Sequence, residues 1–252
     1  MAYSAVYSDQ QTPPAPQPQN TSFHKITGGV NYTRAYLKPS ANPSFSGNVG
    51  GLQAAYEYQR PDFFYAGANF AWRYGSVHAS NGKRTLQDFN VYERLGYTFG
   101  IPSVKGLVTL FSGFGYRQFR HHVKLNGESS VMMRYNHFYL PVGLLTDFKL
   151  LSFFSLGANM IWMPQVFPTL TIDSFGEVRW ILRKMFSSFN VQMPFTFHLD
   201  CWVKNLSLVL LPSFEIWQDG PSEARSPSGL PRRVPKNTYI FWGGDVSLKY
   251  AF

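Results

Sequence analysis

The sequence lacks any long apolar run, and it has almost no cysteine. A transmembrane helix needs about 20 consecutive apolar residues, whereas the richest stretches here, 153–163 and 206–211, are shorter and are interrupted by Ser, Asn or Gly. A helical membrane protein is therefore excluded. The single cysteine, Cys201, cannot form an internal disulfide. Because a lone exposed thiol is a liability in an oxidising compartment, we expect Cys201 to be buried or in contact with lipid.

The N-terminal segment also lacks the features of a folded or targeting element. Residues 1–20 contain no apolar core of a secretory signal. Residues 10–20 are rich in Gln and Pro, which is typical of a solvated, extended linker. We therefore predict a disordered Pro/Gln-rich segment at 1–21 and one folded domain at 22–252. If that domain is exported, its signal peptide has been removed.

Aromatic residues are what the chain has in abundance. They make up 17% of the sequence against 15% for charged residues, and 21 Gly and 17 Pro interrupt it frequently. This composition favours many aromatic strands over helices. The mean hydropathy of −0.18 is not an argument for a soluble protein, because a membrane barrel alternates lipid-facing and lumen-facing residues along each strand.

Alternation of apolar and polar residues with period two recurs along the chain, in segments long enough to cross a membrane as tilted strands. Ten segments show it: 23–37, 48–60, 63–77, 86–99, 106–120, 132–147, 152–164, 180–199, 204–218 and 238–252. The pattern predicts an all-β fold, a closed antiparallel transmembrane β-barrel of about ten strands. Eight or twelve strands are the alternatives.

Four residues do not fit this pattern. Glu93 falls among the apolar residues of the fourth segment, which predicts a β-bulge or a different register there. Pro141, Pro194 and Pro212 lie inside predicted strands, where each removes a ladder donor. We expect bulges or kinks at these prolines.

The connections between segments alternate in length. Those after the even-numbered segments are short, and those after the odd-numbered segments are longer, up to 219–236. An outer-membrane barrel has short periplasmic turns and long extracellular loops. The alternation therefore predicts periplasmic termini and extracellular long loops.

The end of the sequence, from Trp242 to Phe252, resembles the C-terminal β-signal of bacterial outer-membrane proteins. The resemblance lies in alternating apolar residues that finish on an aromatic residue: Val246, Leu248, Tyr250 and Phe252. It implies insertion by the barrel assembly machinery into a bacterial outer membrane. Omptin proteases and a class of surface adhesins are the natural comparisons among ten-stranded barrels. The acidic and Asp/His catalytic pairs expected of omptins have no convincing match here.

The net charge of +9 is concentrated in the predicted outer loops. The candidate basic loop residues are Lys83, Arg84, Arg120, His121, His122, Lys124, Arg232, Arg233 and Lys236, with Arg179, Arg183, Lys184 and Arg225 as further cations. Such a surface attracts anions through its summed field. The expected partners are outer-membrane lipids, lipopolysaccharide, or sulfated glycans of a host. Alternatively, these cations only neutralise neighbouring lipid headgroups.

Two other partners are not expected. No nucleic-acid-binding module or basic helix is present. His121 and His122 are adjacent, so their side chains point to opposite faces of a strand, and no further metal ligand has suitable spacing. We therefore predict neither a metal nor a cofactor.

Charged residues of both signs occupy the inward positions of the predicted strands. The predicted lumen network comprises Glu57, Arg73, Asp88, Arg94, Arg117, Glu215, Asp245 and Lys249, with Lys25 nearby. In a narrow barrel these side chains should pair and fill the interior. Alternatively, the ring provides the selectivity of a narrow passive pore for small solutes.

Our leading functional hypothesis is a non-enzymatic surface protein that binds anionic ligands through basic outer loops. A membrane-embedded hydrolase is a further alternative, because His137 and His198 take inward positions near Ser and Asp residues. No catalytic residue is assigned.

Overall fold

A computed structural model describes residues 23–40, 43–80, 82–124, 130–173, 178–222 and 234–252. They form one antiparallel sheet of fifteen strands. The strands are β1 (His24–Pro39), β2 (Phe45–Gln59), β3 (Phe63–Ala79), β4 (Gly82–Ile101), β5 (Gly106–Lys124), β6 (Ser130–Tyr139), β7 (Val142–Leu151), β8 (Phe154–Leu156), β9 (Asn159–Trp162), β10 (Gln165–Ile172), β11 (Val178–Ile181), β12 (Phe189–Gln192), β13 (Phe195–His198), β14 (Leu206–Asp219) and β15 (Asn237–Ala251). Among the described residues no helix is long and apolar enough to cross a membrane.

The fifteen strands build a ring with ten positions in its wall. Strands β1 to β5, β14 and β15 each span one position, and the other three positions combine shorter strands end to end: β6 with β7, β8 with β9 and β10, and β11 with β12 and β13. Pairing of β15 with β1 over fifteen residue pairs closes the ring. The prediction of a closed antiparallel barrel of about ten strands is confirmed.

Side chains alternate across the wall as the sequence pattern predicts. Large apolar side chains such as Val30, Leu52 and Leu110 are more than half exposed on the outside, whereas charged ones such as Arg117 are completely buried in the lumen. A folded protein exposes contiguous apolar surface of this extent only where another phase covers it. The outer surface is therefore built to contact lipid.

Aromatic side chains form a girdle near each end of this apolar band. We call the end that carries connections 60–62, 102–105, 152–153 and 199–205 the short-turn end, and the other the loop end. Outward aromatic residues toward the loop end include Tyr32, Trp72, Phe89, Tyr116, Phe138 and Trp242; those toward the short-turn end include Tyr56, Phe64, Tyr97, Phe154 and Tyr250. Such girdles mark the two interfaces of a transmembrane barrel.

The in-strand prolines cluster in two gaps of the hydrogen-bond ladder. Pro141 separates β6 from β7, and the neighbouring Leu140 amide donates to the Pro164 carbonyl at 3.1 Å. Pro194 separates β12 from β13, next to Pro212, whose carbonyl accepts from the Met193 amide at 3.0 Å. In each gap the proline of one strand lies diagonally across from a proline of the neighbouring strand, so missing donors are concentrated at two sites. Pro212 itself keeps regular pairing with Gly244, so the bulge or kink expected there is wrong.

The irregularity expected at Glu93 is also wrong. Strand β4 pairs with β3 and β5 in unbroken register, with Glu93 opposite Ala68 and Phe114. The Glu93 side chain lies on the outer face of the strand, between the exposed residues Val91 and Leu95. An ionisable side chain thus lies in the lipid-facing band, where charge is unfavourable.

Replacing Glu93 with Leu is therefore expected to stabilise the barrel. Removing a carboxylate from the lipid-facing band should raise the free energy of unfolding by about 1–2 kcal/mol. Equilibrium unfolding in lipid vesicles measures the change. The control is Glu57→Leu, which removes a lumen carboxylate paired with Arg94 and should destabilise. A Glu93→Leu protein no more stable than the original would show that Glu93 is not in contact with lipid.

Strands extend further at the loop end than the sequence pattern predicts. Residues 80–81 alone connect β3 to β4, so the connection after this odd-numbered strand is not long. The predicted loop residues Lys83 and Arg84 belong to β4, and those at 120–124 belong to β5. The correction has a simple cause: these hairpins continue to pair beyond the apolar band, so polar sequence was taken for loop.

Of the two alternatives expected for Cys201, burial and contact with lipid, burial is wrong. Its side chain is exposed in the connection 199–205. Backbone hydrogen bonds from Trp202 and Val203 to the Leu199 carbonyl hold this turn, at 2.8 and 3.0 Å. The compact turn leaves the Cys201 side chain outside. The predicted segment 1–21 lies outside the described residues.

Candidate functional site

The predicted basic residues at the loop end do not form one surface, because strand alternation divides them. Lys83 and His122 are exposed on the outside, and Arg120 lies beside them on the same face. Arg84 instead turns inward, with its guanidinium 4.1 Å from the centre of the Phe45 ring. His121 is buried in the lumen, where its Nε2 lies 3.0 Å from the Tyr239 hydroxyl.

The remaining basic candidates are distributed more widely. Lys124 ends β5. Arg232, Arg233 and Arg225 lie outside the described residues. Lys236 immediately precedes β15, and its carbonyl accepts from the Ser40 amide at 2.9 Å. No common binding surface for the nine residues follows from these positions.

A different set of arginines does come together on the outer face at the loop end. Arg120 on β5 pairs in register with Arg134 on β6, Arg134 pairs with Thr171 on β10, and Thr171 pairs with Arg179 on β11. We call Arg120, Arg134 and Arg179 the arginine row. An acid accompanies it, since the Arg134 Nη2 lies 2.9 Å from Asp173 Oδ2.

Two further rows lie directly below the arginine row, toward the apolar band. Gln118, Asn136 and Thr169 form the first, and they pair with one another in register. Tyr116, Phe138 and Phe167 form the second, again in register, with the Tyr116 and Phe138 rings 5.2 Å apart. Arg134, Arg179 and the two lower rows line a groove on the outer surface, which we call the rim groove, and Arg120 lies beside it through its hydrogen bond to Gln118.

Hydrogen bonds fix the side chains of the rim groove. Gln118 Nε2 donates to Asn136 Oδ1 at 2.7 Å and to the Tyr116 hydroxyl at 2.9 Å. Arg120 Nε donates to Gln118 Oε1 at 2.5 Å. The guanidinium groups of Arg120 and Arg134 are therefore each positioned by one contact. Because an arginine has five N–H donors, each group retains donors for an external acceptor.

Sequence analysis identified Arg120 and Arg179 but missed Arg134, Asn136 and Gln118. A signal was present, because Arg134 and Asn136 share the outward parity of Phe138 and Leu140 in the sixth predicted strand. What could not be seen was the registration of four neighbouring strands, β5, β6, β10 and β11. That registration, and no single segment, creates the rim groove.

The predicted lumen residues separate into two ion-paired groups. Arg117 is at the centre of the first: its Nη2 lies 2.8 Å from Asp88 Oδ2, and its Nη1 contacts Glu215. Arg73 contacts the same two acids, at 3.3 Å from Asp88 and 3.1 Å from Glu215. Two cations and two anions thus neutralise one another, which is the condition for keeping charge in a desolvated interior.

The second group lies closer to the short-turn end. Arg94 Nη2 lies 2.9 Å from Glu57 Oε1, and the Tyr65 hydroxyl donates to the same oxygen at 2.9 Å. Asp245 and Lys249 face the lumen but form no ion pair within the described part of the chain. The eight predicted lumen residues therefore do not make one network.

An aromatic layer covers the Arg117 group on its loop-end side. Phe119 on β5 stacks on Tyr239 of β15 with ring centres 4.4 Å apart, although these strands occupy opposite positions in the ring. Trp217 packs edge-on against Tyr139 at 5.4 Å. Gly115 makes room for this packing, since a side chain there would collide with the Tyr139 ring. Side chains from opposite walls therefore meet across the lumen at this level.

The two histidines of the hydrolase alternative are each engaged by a polar partner. His137 Nε2 lies 2.8 Å from Asp219 Oδ1, and both side chains are completely buried beside Trp217. His198 Nε2 lies 2.9 Å from Ser155 Oγ, and its Nδ1 lies 3.2 Å from Ser207 Oγ.

Neither pair has the geometry of a working hydrolase. A substrate cannot reach the His137 pair, and Ser155 is only 3% exposed. No carboxylate within the described ranges lies at hydrogen-bond distance from the His198 imidazole to orient it. In the same residues, no group of three His, Cys, Asp or Glu side chains is placed to hold a metal ion.

The residues of the β-signal resemblance occupy the outer face of β15. Val246, Leu248, Tyr250 and Phe252 are each about half exposed. Phe252 continues the pairing of β15 with β1: its amide donates to the His24 carbonyl at 2.9 Å, and the two rings stack at 5.6 Å. These side chains therefore contribute to the lipid-facing surface at the short-turn end.

The closed ring, the lipid-facing band and the ion-paired lumen define the class of protein: this is an integral membrane β-barrel with the fold of bacterial outer-membrane proteins. No known family model matches the chain, and no curated protein sequence matches it.

Solved structures do resemble it. The outer membrane protease OmpT from Escherichia coli superimposes with a TM-score of 0.61 at 10% identity, covering 91% of this chain and 96% of that one. The translocator domain of the autotransporter NalP from Neisseria meningitidis gives 0.51 at 8% identity, covering 93% and 90%. At such low identity the likeness shows the fold alone.

Proposed function

We propose that this protein is a non-enzymatic surface protein of a bacterial outer membrane, and that its rim groove binds the phosphorylated headgroup of lipopolysaccharide. The termini and the short turns face the periplasm in this proposal, and the loop end faces outward. The observation that carries it is the vertical order of the rim groove. Aromatic side chains lie at the edge of the apolar band, amides and a hydroxyl above them, and arginines above those.

From the apolar band outward, this order matches the acyl chains, the sugars and the phosphate groups of the ligand. Acyl chains would pack on Tyr116, Phe138 and Phe167, where burial of apolar surface is favourable. Sugar hydroxyls would meet Gln118 and Asn136, which donate and accept hydrogen bonds. Phosphate groups would bind the arginine row, because the planar guanidinium matches a phosphate with paired donors.

The net charge of the groove supports the same ligand. Among the described residues, three arginines lie with one acid, Asp173. The groove therefore carries an excess positive charge at the edge of a low-dielectric band, where an anion is less screened than in water. Membrane headgroups occupy this level of an outer membrane, so the ligand is present wherever the protein is inserted.

Neutralising the arginine row is expected to abolish preferential binding of phosphorylated lipid A. A hydrogen bond to a charged group contributes about 1.5–3 kcal/mol, so Arg134→Gln alone should weaken binding about tenfold. The triple variant Arg120→Gln, Arg134→Gln, Arg179→Gln should bind lipid A no better than its dephosphorylated form. Titration of lipid A, with and without phosphates, into refolded protein in detergent measures both effects.

Arg34→Gln is the matched control. Arg34 is an exposed arginine on the outer face of β1, outside the rim groove, with its Nε 2.9 Å from the Tyr36 hydroxyl. The Arg34→Gln substitution should leave the affinity for lipid A unchanged within about twofold. Equal affinity of the original protein for lipid A with and without phosphates would contradict the proposal, as would a triple variant that keeps full affinity.

A further inference from the structure

The barrel contains a second candidate site, on the other side of the Arg117 group from the rim. A cavity of about 200 Å³ lies in the lumen toward the short-turn end. It reaches Lys25, one residue from the start of β1, and Gln59, the last residue of β2. At its other end it is lined by the ion-paired Arg73 and Glu215 side chains. We therefore expect a solute to enter from the short-turn end.

The lining of this cavity is unusually rich in primary amides and hydroxyl groups. The amides are Asn31, Gln53, Gln59, Asn69, Asn90, Asn159, Asn190 and Gln192, and the hydroxyls include Thr27, Thr33, Thr196, Ser213 and Ser247. The charged lining residues balance, with four cations (Lys25, Arg73, Arg94, Lys249) and four acids (Glu57, Asp147, Glu215, Asp245). A site of this kind has no preference for net charge.

Within the part of the chain that the structure describes, two amide oxygens in the lining have no hydrogen-bond donor. Asn31 is 7% exposed, and its Nδ2 donates to the Leu52 carbonyl while Oδ1 has no partner. Asn190 Oδ1 is likewise buried and unpaired. Leaving a buried acceptor unsatisfied costs about 1–3 kcal/mol. Both oxygens therefore favour an occupant with hydroxyl or amine donors.

We propose that this cavity binds a single neutral hexose-sized sugar. A sugar hydroxyl can donate a hydrogen bond to the oxygen of a primary amide and accept one from its nitrogen. The Tyr92 ring also lines the cavity and offers an aromatic face for the apolar side of a pyranose. The volume lies below the roughly 300–1,000 Å³ of sites for larger ligands, so one ring fits and an oligosaccharide does not.

Saturation-transfer NMR on the refolded full chain tests this site directly. The protein is held in a detergent without a sugar headgroup, and D-glucose, inorganic phosphate and cyclohexanol are the probes. We expect saturation transfer to D-glucose, no displacement of glucose by phosphate, and none by cyclohexanol. Absence of transfer to glucose, or displacement of glucose by either comparator, would overturn the proposal.

Variants distinguish the cavity from the outer surface. Asn31→Leu and Asn190→Leu should each weaken glucose binding about tenfold, and Ala71→Trp should abolish it by filling the cavity, since Ala71 is a small lining residue. Asn48→Leu changes an exposed amide outside the cavity and should have no effect. Heat-modifiable migration on a gel identifies folded variants. Undiminished binding by folded Ala71→Trp, or by both Leu variants, would overturn the assignment. Lipid A binding at the rim is independent of every outcome.

Discussion

Replacing Arg117 with Met is expected to lower the free energy of unfolding by about 3–5 kcal/mol. Arg117 is completely buried between Asp88 and Glu215, which are 1% and 4% exposed. Without it, two carboxylates share the single remaining cation Arg73. An uncompensated charge in a desolvated interior is far more unfavourable than the absence of the whole pair. Denaturant titration of the barrel in detergent or vesicles measures the loss.

The aromatic surroundings of Arg117 add to this effect. Its guanidinium lies 4.5 Å from the centre of the Phe119 ring and 4.8 Å from that of Trp217. A desolvated guanidinium over an aromatic face contributes about 2 kcal/mol. The unbranched Met side chain can fill much of the same space, so the predicted loss comes mainly from charge and less from an empty volume.

A double variant separates charge imbalance from a general packing defect. Arg117→Met combined with Glu215→Gln leaves Arg73 and Asp88, which are 3.3 Å apart and balance each other. We expect this pair of changes to recover at least half of the stability that Arg117→Met removes. The explanation fails if the double variant loses as much free energy of unfolding as Arg117→Met and Glu215→Gln lose separately, with the two losses added. It also fails if Arg117→Met stays within about 1 kcal/mol of the original.

Sequence reasoning predicted the barrel because its signals are local. A strand that faces lipid on one side and the lumen on the other must alternate, and residues 189–198 and 246–252 do so almost without exception. The same logic predicted which residues face inward, including Arg73, Asp88 and Arg117. Where it failed, as at Glu93, it assumed that a charged residue must face inward. Strand β4 instead keeps unbroken pairing with both neighbours, and this leaves the Glu93 carboxylate on the outer face, where it is unfavourable.

The sites were less predictable because they depend on register between strands. Arg120 and Arg179 are 59 positions apart in sequence (179 − 120), and only the registration of β5, β6, β10 and β11 puts them in one row. The division of the lumen into two ion-paired groups and a cavity depends on side chains from opposite walls. Alternation assigns each of these residues to a face, but it carries no information about height within the barrel.

The barrel is expected to conduct no ions in planar bilayers, and loss of the aromatic layer is expected to make it conduct. Phe119 and Tyr239 meet across the diameter of the ring, with Trp217 beside them. Changing all three to Ala removes the Phe119 and Trp217 rings that pack on the Arg117 guanidinium, together with the Tyr239 ring that stacks on Phe119. Reproducible conductance steps should then appear, because a water-filled path with a charged lining passes small ions.

The matched control changes three aromatic residues of the outer girdle, Trp72, Phe89 and Trp242, to Ala. These side chains lie on the lipid-facing side, so their loss should affect stability and leave the bilayer silent. Heat-modifiable migration again verifies that each variant is folded. Reproducible conductance by the original protein would revive the narrow-pore alternative and contradict a closed lumen. A folded lumen variant that stays as silent as the girdle control would show that the Arg117 group alone closes the barrel.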